Sequence, residues 1–396
     1  MKISSSYKIK IPVSELFNYP NACLLRDILS QTGSTVLIPS KVPVHKLTEG
    51  LLDPKRILDS LERLDIKTVD IELPHDMNDD EMRTLVTEFD PATKILDPEV
   101  IAHANRVLDD VYSIQSLDGK YDIPKEAVEE LGKTLSKEVA GISQIALSLV
   151  IAPDGDSYLK SHSLNVSLLA GFIAKKLVEE QKAPAALTEK SVLAGLLFDI
   201  GKTAIPAALL NKTDALTDRE MEIVKNHVSE SVNICRLAGI TDREILDGIA
   251  SHHEKYDGTG YPKRLVGTRI PLIGRILAVA DTFDAMTSPR VYKNAVSAKL
   301  SFNFIMSANE TAFDPDICKI FVAGMGVYPP GTSVELSNGW RGTVAAITPG
   351  NLLQPKIAIK EDGKTKIVDL STEKLFIKRS LDEQPREEVD FLKDAE

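Results

Sequence analysis

Histidines and aspartates concentrate in one part of this 396-residue sequence. Four of the seven histidines fall between residues 162 and 253, and they are His162, His227, His252 and His253. Aspartates accompany them on segments that are otherwise apolar. Neutral imidazoles and carboxylates without thiolates are the ligand set of iron, manganese or zinc hydrolytic centres. These residues are therefore candidate ligands of such a metal centre.

His162 admits two interpretations. On a helix it shares one stripe with Val166 and Leu169, so its ring points toward the protein interior. A histidine packed in the core and a metal ligand both fit this position. For the residue taken alone, the core histidine is the more ordinary outcome.

Asp199 is a carboxylate that needs a positive partner. It lies in an apolar helix that we predict to end at Gly201, a residue type preferred just past a helix C-terminus. In the last turn of that helix, a carboxylate meets the negative end of the helix dipole, at a cost of about 0.3–1 kcal/mol at exposed sites. Lys202 could compensate Asp199 as an ion pair, and a divalent metal would do so more strongly.

Two further segments supply the same residue types. Asp281 replaces a hydrophobic residue on the apolar helix predicted at 270–286, and we expect it to be a metal ligand. Asp284, on the same stripe, could also lie on a capped or solvent-exposed face. His252 and His253 are predicted to close another helix, where two adjacent imidazoles can converge on one cation.

These residues need a helical frame, and the sequence predicts one from residue 97 to residue 328. Apolar residues recur there at spacings of three and four, which is typical of helices with one buried face. The segments with this pattern are 98–114, 124–149, 162–179, 191–200, 218–237, 242–253 and 270–286. We therefore predict a mainly α protein built around a helix bundle.

Smaller modules are predicted on both sides of the bundle. Residues 1–75 combine β-rich runs at 35–39 and 68–73 with a helical stretch at 53–64, which indicates a small α+β input or docking module. An acidic linker at 76–96 follows. After the bundle, residues 329–379 alternate in short segments typical of a small β module, and residues 380–396 form an acidic, solvated tail.

Composition excludes several classes of protein. Hydrophobic residues make up 43% and charged residues 27% of the chain, as in ordinary globular proteins. No apolar run is long enough for a membrane helix, and residues 1–10 lack a signal-peptide core, so we expect a cytoplasmic protein. Three scattered cysteines indicate neither disulfides nor a thiolate zinc site. The net charge of -11 argues against binding to DNA or RNA backbones.

The motifs around these histidines and aspartates resemble the HD-GYP family over about residues 97–330. The resemblance implies a helical bundle of the HD type. It rests on the order and spacing of His162, Asp199 with Gly201-Lys202, His227, His252-His253, Gly260-Tyr261-Pro262 and Asp281. It extends to Ile205-Pro206, to Lys225-Asn226, to residues 253–258 (HEKYDG) and to residues 287–293 (TSPRVYK).

The resemblance also implies an activity. Members of the family hydrolyse cyclic di-GMP to a linear dinucleotide or to GMP, with two or sometimes three metal ions that are often iron or manganese. By position, Asp199 would bridge two divalent ions. The first ion would also bind His162 and Asp281, and the second ion His227, His252 and His253.

The family pattern assigns substrate contacts as well. Lys202 would help to neutralise the transition state. Arg290 and Lys293 match positions that hold the phosphates of the ligand, and Tyr261 lies in a loop implicated in contacts with substrate and partners.

Phe198 departs from the family pattern, because it stands where the family has the histidine that precedes the bridging aspartate. Phenylalanine cannot coordinate a metal, so we predict weakened occupancy of the first metal position and low or absent activity. Tyr158, four residues before His162, stands where a third metal would need an acidic ligand. A two-metal site is therefore expected.

Three functions remain open from the sequence. The chain could be a cyclic di-GMP phosphodiesterase with an incomplete ligand set. It could be a non-catalytic cyclic di-GMP receptor with a degenerate metal site. It could also be an interaction module that contacts GGDEF-domain proteins through the Gly260-Tyr261-Pro262 loop, and a homodimer is open as well.

Overall fold

The structure is a computed structural model of the chain. It describes most of the predicted bundle and much of both flanking modules. The described residues are 6–19, 21–30, 35–47, 53–74, 96–113, 123–142, 158–210, 212, 214–288, 296–348, 350–361 and 364–381. The predicted linker at 76–96, except residue 96, and the tail from residue 382 onward lie outside them.

A bundle of α-helices forms the largest part of the described chain. One helix, Tyr158–Glu179, lies at its centre, since every residue from 161 to 174 is buried. The next helix packs closely against it, because a Cβ added at Gly195 would lie 2.5 Å from Ser167 Cα. The helices of this part are Pro98–Tyr112, Lys125–Ala140, Tyr158–Glu179, Ala186–Leu197, Ala207–Leu210, Asp218–Lys225, His227–Leu237, Arg243–Ile249, Leu272–Thr287, Ala298–Ser307 and Pro315–Met325.

The prediction of a mainly α core is confirmed, while several helix limits differ. The segment predicted at 218–237 is two helices, because the first ends at Lys225 and the second begins at His227. The helix predicted at 242–253 ends at Ile249. The helix predicted at 191–200 begins at Ala186 and ends at Leu197.

The N-terminal module contains the predicted α+β elements. Strands β1 (Ser6–Pro12), β2 (Cys23–Leu24) and β5 (Thr68–Pro74) form an antiparallel sheet in the order β1-β5-β2. Strands β3 (Ile28–Leu29) and β4 (Val36–Ile38) form a separate pair. The helix Pro54–Arg63 is capped at its N-terminus by Asp53, whose carboxylate accepts a hydrogen bond from the Lys55 N–H.

The C-terminal module is a five-stranded antiparallel sheet, as the β-rich pattern predicted. Its order is β10-β6-β7-β8-β9, and its buried face is formed by residues such as Val334, Val344 and Ile357. The strands are β6 (Ser333–Leu336), β7 (Arg341–Ala346), β8 (Lys356–Glu361), β9 (Lys364–Asp369) and β10 (Ile377–Ser380). The predicted boundaries between the modules stay predictions.

Side chains of the two flanking modules meet. Tyr19 donates a 2.6 Å hydrogen bond from its hydroxyl to Glu335, and Arg379 donates one of 2.7 Å to Glu15. Leu381 belongs to the buried cluster of the N-terminal module. Among the helices within the described ranges, none has the length and apolar character that crossing a membrane requires.

Candidate metal centre

The predicted metal ligands come from separate elements of the bundle and meet at one place. His162 lies in the first turns of the central helix Tyr158–Glu179, and Asp281 lies on Leu272–Thr287. His227 is the first residue of its helix. His252 and His253 lie three and four residues after the end of the helix Arg243–Ile249, so the prediction that they close that helix is wrong.

Asp199 lies at the centre of this group, and it is fully buried. Its Oδ1 is 3.3 Å from His227 Nε2 and 3.9 Å from His252 Nε2. Its Oδ2 is 2.5 Å from Lys202 Nζ and 3.7 Å from His162 Nε2. Oδ1 is buried and has no hydrogen-bond partner among the residues that the structure describes. A buried carboxylate oxygen in that state calls for a cation.

The prediction that Asp199 lies in the last turn of a helix is wrong. The helix ends at Leu197 with Phe198 as its C-cap, and Asp199 starts a 3-10 turn, Ile200–Ala204. In that turn the Lys202 N–H donates to the Asp199 carbonyl at 2.9 Å. Because side chains three residues apart lie on one side of a 3-10 turn, this places the Lys202 ammonium over the Asp199 carboxylate.

Gly201 does not act as the residue after a helix C-terminus either. It lies inside the 3-10 turn, where a Cβ would sit 2.1 Å from the carbonyl oxygen of His227 and 2.5 Å from the Ser231 nitrogen. The reason for glycine is thus the close approach of two backbones. That approach holds Asp199 next to His227.

The three histidines His227, His252 and His253 offer nitrogen atoms that all lie within 4.8 Å of one another. His227 Nδ1 is 2.7 Å from the Val224 carbonyl, and His252 Nδ1 is 2.7 Å from the Ile249 carbonyl. A carbonyl can only accept, so each Nδ1 carries the proton and each Nε2 keeps its lone pair. This is the tautomer that a metal ligand needs.

His162 is held by carboxylates at both ring nitrogens. Its Nδ1 is 2.6 Å from Asp284 Oδ2, and its Nε2 is 2.9 Å from Asp281 Oδ1. Asp284 is fixed in turn by Asn165, whose amide donates at 2.9 Å, and by the Ser288 hydroxyl, which also donates at 2.9 Å. His162 is therefore a buried, oriented imidazole and not a plain apolar-core residue.

The open interpretation of Asp284 is settled by its burial. Its side chain is 0% exposed, so the alternative of a solvent-exposed face is wrong, whereas Asp281 keeps 16% of its side chain exposed. Asp284 and Asn165 were not predicted as site residues. The available signal was their position one helical turn after Asp281 and His162, respectively, on the same helix faces.

The pKa values follow from burial and charge. Burial lowers the pKa of His227 to about 4, and it also lowers the pKa of His252 and of His253. Burial opposes the protonation of His162 too, but hydrogen bonds and charge from Asp281 and Asp284 outweigh it and raise the pKa to about 9. At neutral pH the three-histidine cluster is thus neutral, as metal ligands must be.

Burial acts against ionisation of Asp199 as well, and there the surrounding charges prevail. Lys202 lies nearest, and the histidines around the carboxyl add to its effect. Together they hold the pKa of Asp199 below its usual range. The carboxylate is therefore ionised at neutral pH and available to a cation.

Phe198 lies inside the site and is fully buried. Its ring centroid is 5.6 Å from that of His162 and 5.0 Å from that of His252, which it meets edge to face. An apolar ring thus packs against a histidine of each predicted ligand set. Tyr158 stacks on His162 with centroids 5.4 Å apart and an interplanar angle of 11°.

Tyr261 covers one edge of the histidine cluster. Its ring stacks on His253 at 4.8 Å, and Lys225 Nζ lies 5.1 Å from the Tyr261 ring centroid. The buried Glu254 carboxylate accepts the N–H groups of Lys263 at 2.6 Å and Leu265 at 2.9 Å, which anchors the loop after Tyr261. Sequence reasoning did not single out Glu254.

Two predicted substrate contacts cannot be placed relative to this site. Arg290 and Lys293 lie outside the described residues. Contact with GGDEF-domain proteins and a homodimer stay predictions.

Comparison with known proteins agrees with this geometry. Residues 157–317 match the HD domain family, a range that contains every residue of the cluster around Asp199. The chain is 34% identical over 238 residues to the cyclic di-GMP phosphodiesterase PA4108 of Pseudomonas aeruginosa, covering 60% of this chain and 56% of that protein. Residues 157–317 are thus similar to the HD domain family, and the chain is similar in sequence to a protein named as a cyclic di-GMP phosphodiesterase.

Two further relatives carry related names. The cyclic di-GMP phosphodiesterase response regulator RpfG of Xanthomonas campestris pv. campestris is 33% identical over 200 residues, which cover 49% of this chain and 50% of that protein. The 3'3'-cGAMP-specific phosphodiesterase 2 of Vibrio cholerae is 37% identical over 127 residues, 32% of this chain and 24% of that protein. The chain thus matches about half the length of the first two of these relatives and less of the third.

Proposed function

We propose that this chain is an HD-GYP protein that hydrolyses cyclic di-GMP in a metal-dependent reaction, weakened because Phe198 replaces a metal ligand. The observation that carries the proposal is the convergence of buried imidazoles on Asp199 Oδ1, which has no hydrogen-bond partner within the described ranges. The relatives PA4108 and RpfG, both named as cyclic di-GMP phosphodiesterases, support the choice of substrate.

The donor set around Asp199 Oδ1 fits a divalent cation such as iron or manganese. Neutral imidazoles and an ionised carboxylate are nitrogen and oxygen donors that these ions accept. The carbonyl groups behind His227 and His252 orient Nε2 toward the carboxylate. A divalent ion bound there supplies Lewis acidity, which makes hydroxide available near neutral pH and offsets negative charge at the phosphorus.

Side chains at the rim of the site would hold the substrate. Lys202 keeps 22% of its side chain exposed next to Asp199, so its ammonium can face a phosphoryl oxygen and stabilise charge that develops there. Tyr261 presents an aromatic face beside the histidines, with the Lys225 ammonium on its ring. Arg290 and Lys293 are proposed as further phosphate contacts on the basis of the family resemblance.

A receptor that binds cyclic di-GMP without cleaving it is the second candidate. The observation that favours it is Phe198, whose buried ring takes a place between His162 and His252 where a nitrogen donor would complete the site. Binding through Lys202 and the Tyr261 loop does not depend on that donor.

Hydrolysis assays with Mn²⁺ or Fe²⁺ test the proposal. The wild type is expected to cleave cyclic di-GMP slowly, and Phe198→His to cleave it at least tenfold faster, since groups around a metal typically change activity by about 10–100-fold. Asp199→Asn keeps the shape but not the charge and is expected to be inactive. A parallel assay with 3'3'-cGAMP compares the two substrates.

The outcomes separate the two candidates. Absence of turnover in both the wild type and Phe198→His contradicts the enzymatic proposal. If calorimetry then still detects binding of cyclic di-GMP, the receptor hypothesis is supported. If binding is absent as well, both candidates fail.

A further inference from the structure

We infer that this chain binds one divalent cation, at Asp199 and the three-histidine cluster, and that hydrogen bonds and ion pairs on the His162 side of the site disfavour a second ion. The inference rests on the metal dependence of the proposed function. The family resemblance implies two ions, and we infer one.

Both nitrogens of His162, Oδ1 of Asp281 and Oδ2 of Asp199 already have partners in the protein. His162 Nδ1 lies 2.6 Å from Asp284 and Nε2 lies 2.9 Å from Asp281 Oδ1. Asp199 Oδ2, the oxygen on this side, is 2.5 Å from the Lys202 ammonium. A second ion would have to displace both Asp281 from His162 and Lys202 from Asp199. Each of those contacts lies in a buried or nearly buried setting, where such pairs are strong.

On the side of Asp199 that faces the three-histidine cluster, the donor atoms are available to a cation. Oδ1 is buried without a hydrogen-bond partner in the part of the chain that is described, and it faces Nε2 of His227 at 3.3 Å. The proton on each Nδ1 of His227 and His252 is used by a backbone carbonyl, so each Nε2 lone pair is available. His227 Nε2 and His252 Nε2 lie only 3.3 Å apart. Two lone pairs that close to a carboxylate oxygen are arranged for one shared cation.

Aromatic rings add to the difference between the two sides of Asp199. Phe198 contributes no lone pair, and its fully buried ring stands beside His162, at 5.6 Å between centroids. Tyr158 packs nearly parallel to His162 at 5.4 Å. The surroundings of His162 therefore include two aromatic rings that offer no nitrogen donor, and the carboxylates of Asp281, Asp284 and Asp199.

One cation leaves a specific role to Lys202. In a two-ion site both metals would offset the charge of the phosphodiester, whereas here the Lys202 ammonium lies 2.5 Å from Asp199 Oδ2, next to the position that the first ion would occupy. The ammonium would thus stand in for the missing ion as the second electrostatic contact of a cyclic dinucleotide phosphate.

Metal content measured by elemental analysis tests the inference. Protein is purified without oxygen, loaded with Mn²⁺ and dialysed. We expect one ion per chain in the wild type and in Phe198→Leu, and two ions in Phe198→His. Asp281→Asn should retain its ion, whereas His253→Gln should lose most of it. Electron paramagnetic resonance should show an isolated Mn²⁺ in the wild type and spin-coupled ions in Phe198→His.

Several outcomes would overturn the inference. Two ions per wild-type chain would do so, and so would an ion that is lost in Asp281→Asn but retained in His253→Gln. A wild-type chain that binds no ion would also overturn it. The Asp281 and His253 variants still decide the question if Phe198→His does not fold, which circular dichroism will show. Hydrolysis by a two-ion protein defeats the inference and leaves the proposed function intact, while one ion without hydrolysis does the reverse.

Discussion

Gly201 allows two backbone segments to touch beside Asp199. The Gly201 N–H donates to Ser231 Oγ at 2.9 Å, and a Cβ at Gly201 would lie 2.1 Å from the His227 carbonyl oxygen. Backbone cannot move aside as a flexible side chain can. Glycine at this position therefore fixes the separation between the Asp199 carboxylate and the helix that begins at His227.

We predict that Gly201→Ala destabilises the helical bundle by about 1–3 kcal/mol, the usual cost of overpacking. It should also weaken metal binding, because His227 must shift. Urea unfolding followed by far-ultraviolet circular dichroism measures the first effect. Ala204→Ser, at an exposed position of the same turn, is the control and should stay within about 0.5 kcal/mol of the wild type. A Gly201→Ala midpoint equal to the wild type would refute the packing argument.

Glu254 leads to a second prediction, since its carboxylate accepts two N–H groups of the loop that follows Tyr261. Glu254→Gln keeps the shape but has one acceptor oxygen, and hydrogen bonds to a charged group contribute about 1.5–3 kcal/mol. We expect the amides of Lys263 and Leu265 to exchange at least roughly tenfold faster, with unchanged metal content.

Hydrogen exchange with mass spectrometry measures this effect on the loop. Peptides that cover Arg243–Ile249 should exchange as in the wild type, and so should every peptide of Glu222→Gln, an exposed matched substitution. Unaltered exchange at Lys263 and Leu265 in Glu254→Gln would rule out the tethering role.

Apolar helix patterns drew attention to His162, Asp199 and Asp281 one by one, and the resemblance to the HD-GYP family predicted which imidazoles and carboxylates would meet. The supporting contacts were beyond sequence reasoning. Asp284 and His162 are 122 positions apart, and only the packing of two helices decides that they touch. For Glu254 the partners are backbone amides, which leave no trace in residue type.

At the scale of elements, the break at Asn226 shows where periodicity fails. The apolar pattern runs from 218 to 237 without glycine or proline before Gly239, so one helix was predicted. Asn226, with φ -64° and ψ -15°, ends one helix and precedes the next. Because these angles are close to helical values, no special residue type such as glycine is needed at the break, and the sequence does not reveal it. The break nevertheless makes His227 a first-turn residue that faces Asp199.

The helix before that break begins with a capping box. The Thr217 N–H donates to Glu220 Oε2 at 2.8 Å, and the Glu220 N–H donates to Thr217 Oγ1 at 3.3 Å. The nearby Lys212 ammonium, followed by the Thr217 hydrogen bonds, lowers the pKa of Glu220 to about 2. The ionised carboxylate therefore stabilises the folded chain relative to the unfolded one.

Glu220→Gln should make this linkage visible as a function of pH. A carboxyl whose pKa is depressed on folding stabilises the protein above its unfolded value, 4.5, and loses that contribution as the pH falls toward its folded value. The variant should melt below the wild type at neutral pH, and the gap should shrink by more than half near about pH 3.

Thermal unfolding followed by circular dichroism at several pH values checks this expectation. Glu222→Gln, exposed on the same helix, should melt like the wild type throughout. If the melting temperatures of Glu220→Gln and the wild type differ as much near about pH 3 as at neutral pH, the ionisation of Glu220 does not stabilise the fold.

On the scale of the whole molecule, the two ends of the described chain form one structure. Tyr19 and Glu335 are 316 positions apart, yet their side chains share a buried hydrogen bond. Burial, together with Glu335, raises the pKa of Tyr19, so the phenol stays protonated and donates. Leu381, after the last strand of the C-terminal sheet, packs into the N-terminal core.

Sequence reasoning predicted both flanking modules but not this contact. Each module has a local sequence pattern: alternation in the C-terminal strands and a mixed pattern before residue 75. The contact between the modules depends instead on how segments more than 300 residues apart pack together, which no local pattern encodes. Strand β10, whose Arg379 makes the contact, was also missed. Its four residues are Ile, Lys, Arg and Ser, which lack the alternation of apolar and polar residues that marks a half-buried strand. Only Ser380 among them is buried.

Arg379 joins the modules through Glu15 at 2.7 Å and Glu335 at 3.4 Å, and Glu335 is 4% exposed. Arg379→Met leaves that buried carboxylate with weaker compensation, and removal of one partner from a buried pair typically costs about 3–5 kcal/mol. Arg379 keeps 18% of its side chain exposed, so we expect the lower end of that range. Glu335→Gln in the Arg379→Met background should then destabilise less than it does alone.

A double-mutant cycle measures the coupling between Arg379 and Glu335. Trp340 is the only tryptophan of the chain and lies in the C-terminal module, so its fluorescence in urea reports on the unfolding of that sheet. We expect a coupling energy of about 1–3 kcal/mol. The partly exposed pair Lys356–Asp369 of the same sheet is the matched control, and its coupling should stay below about 1 kcal/mol. Equal coupling in the two cycles would mean that the Arg379 contact does not hold the N-terminal module against the sheet.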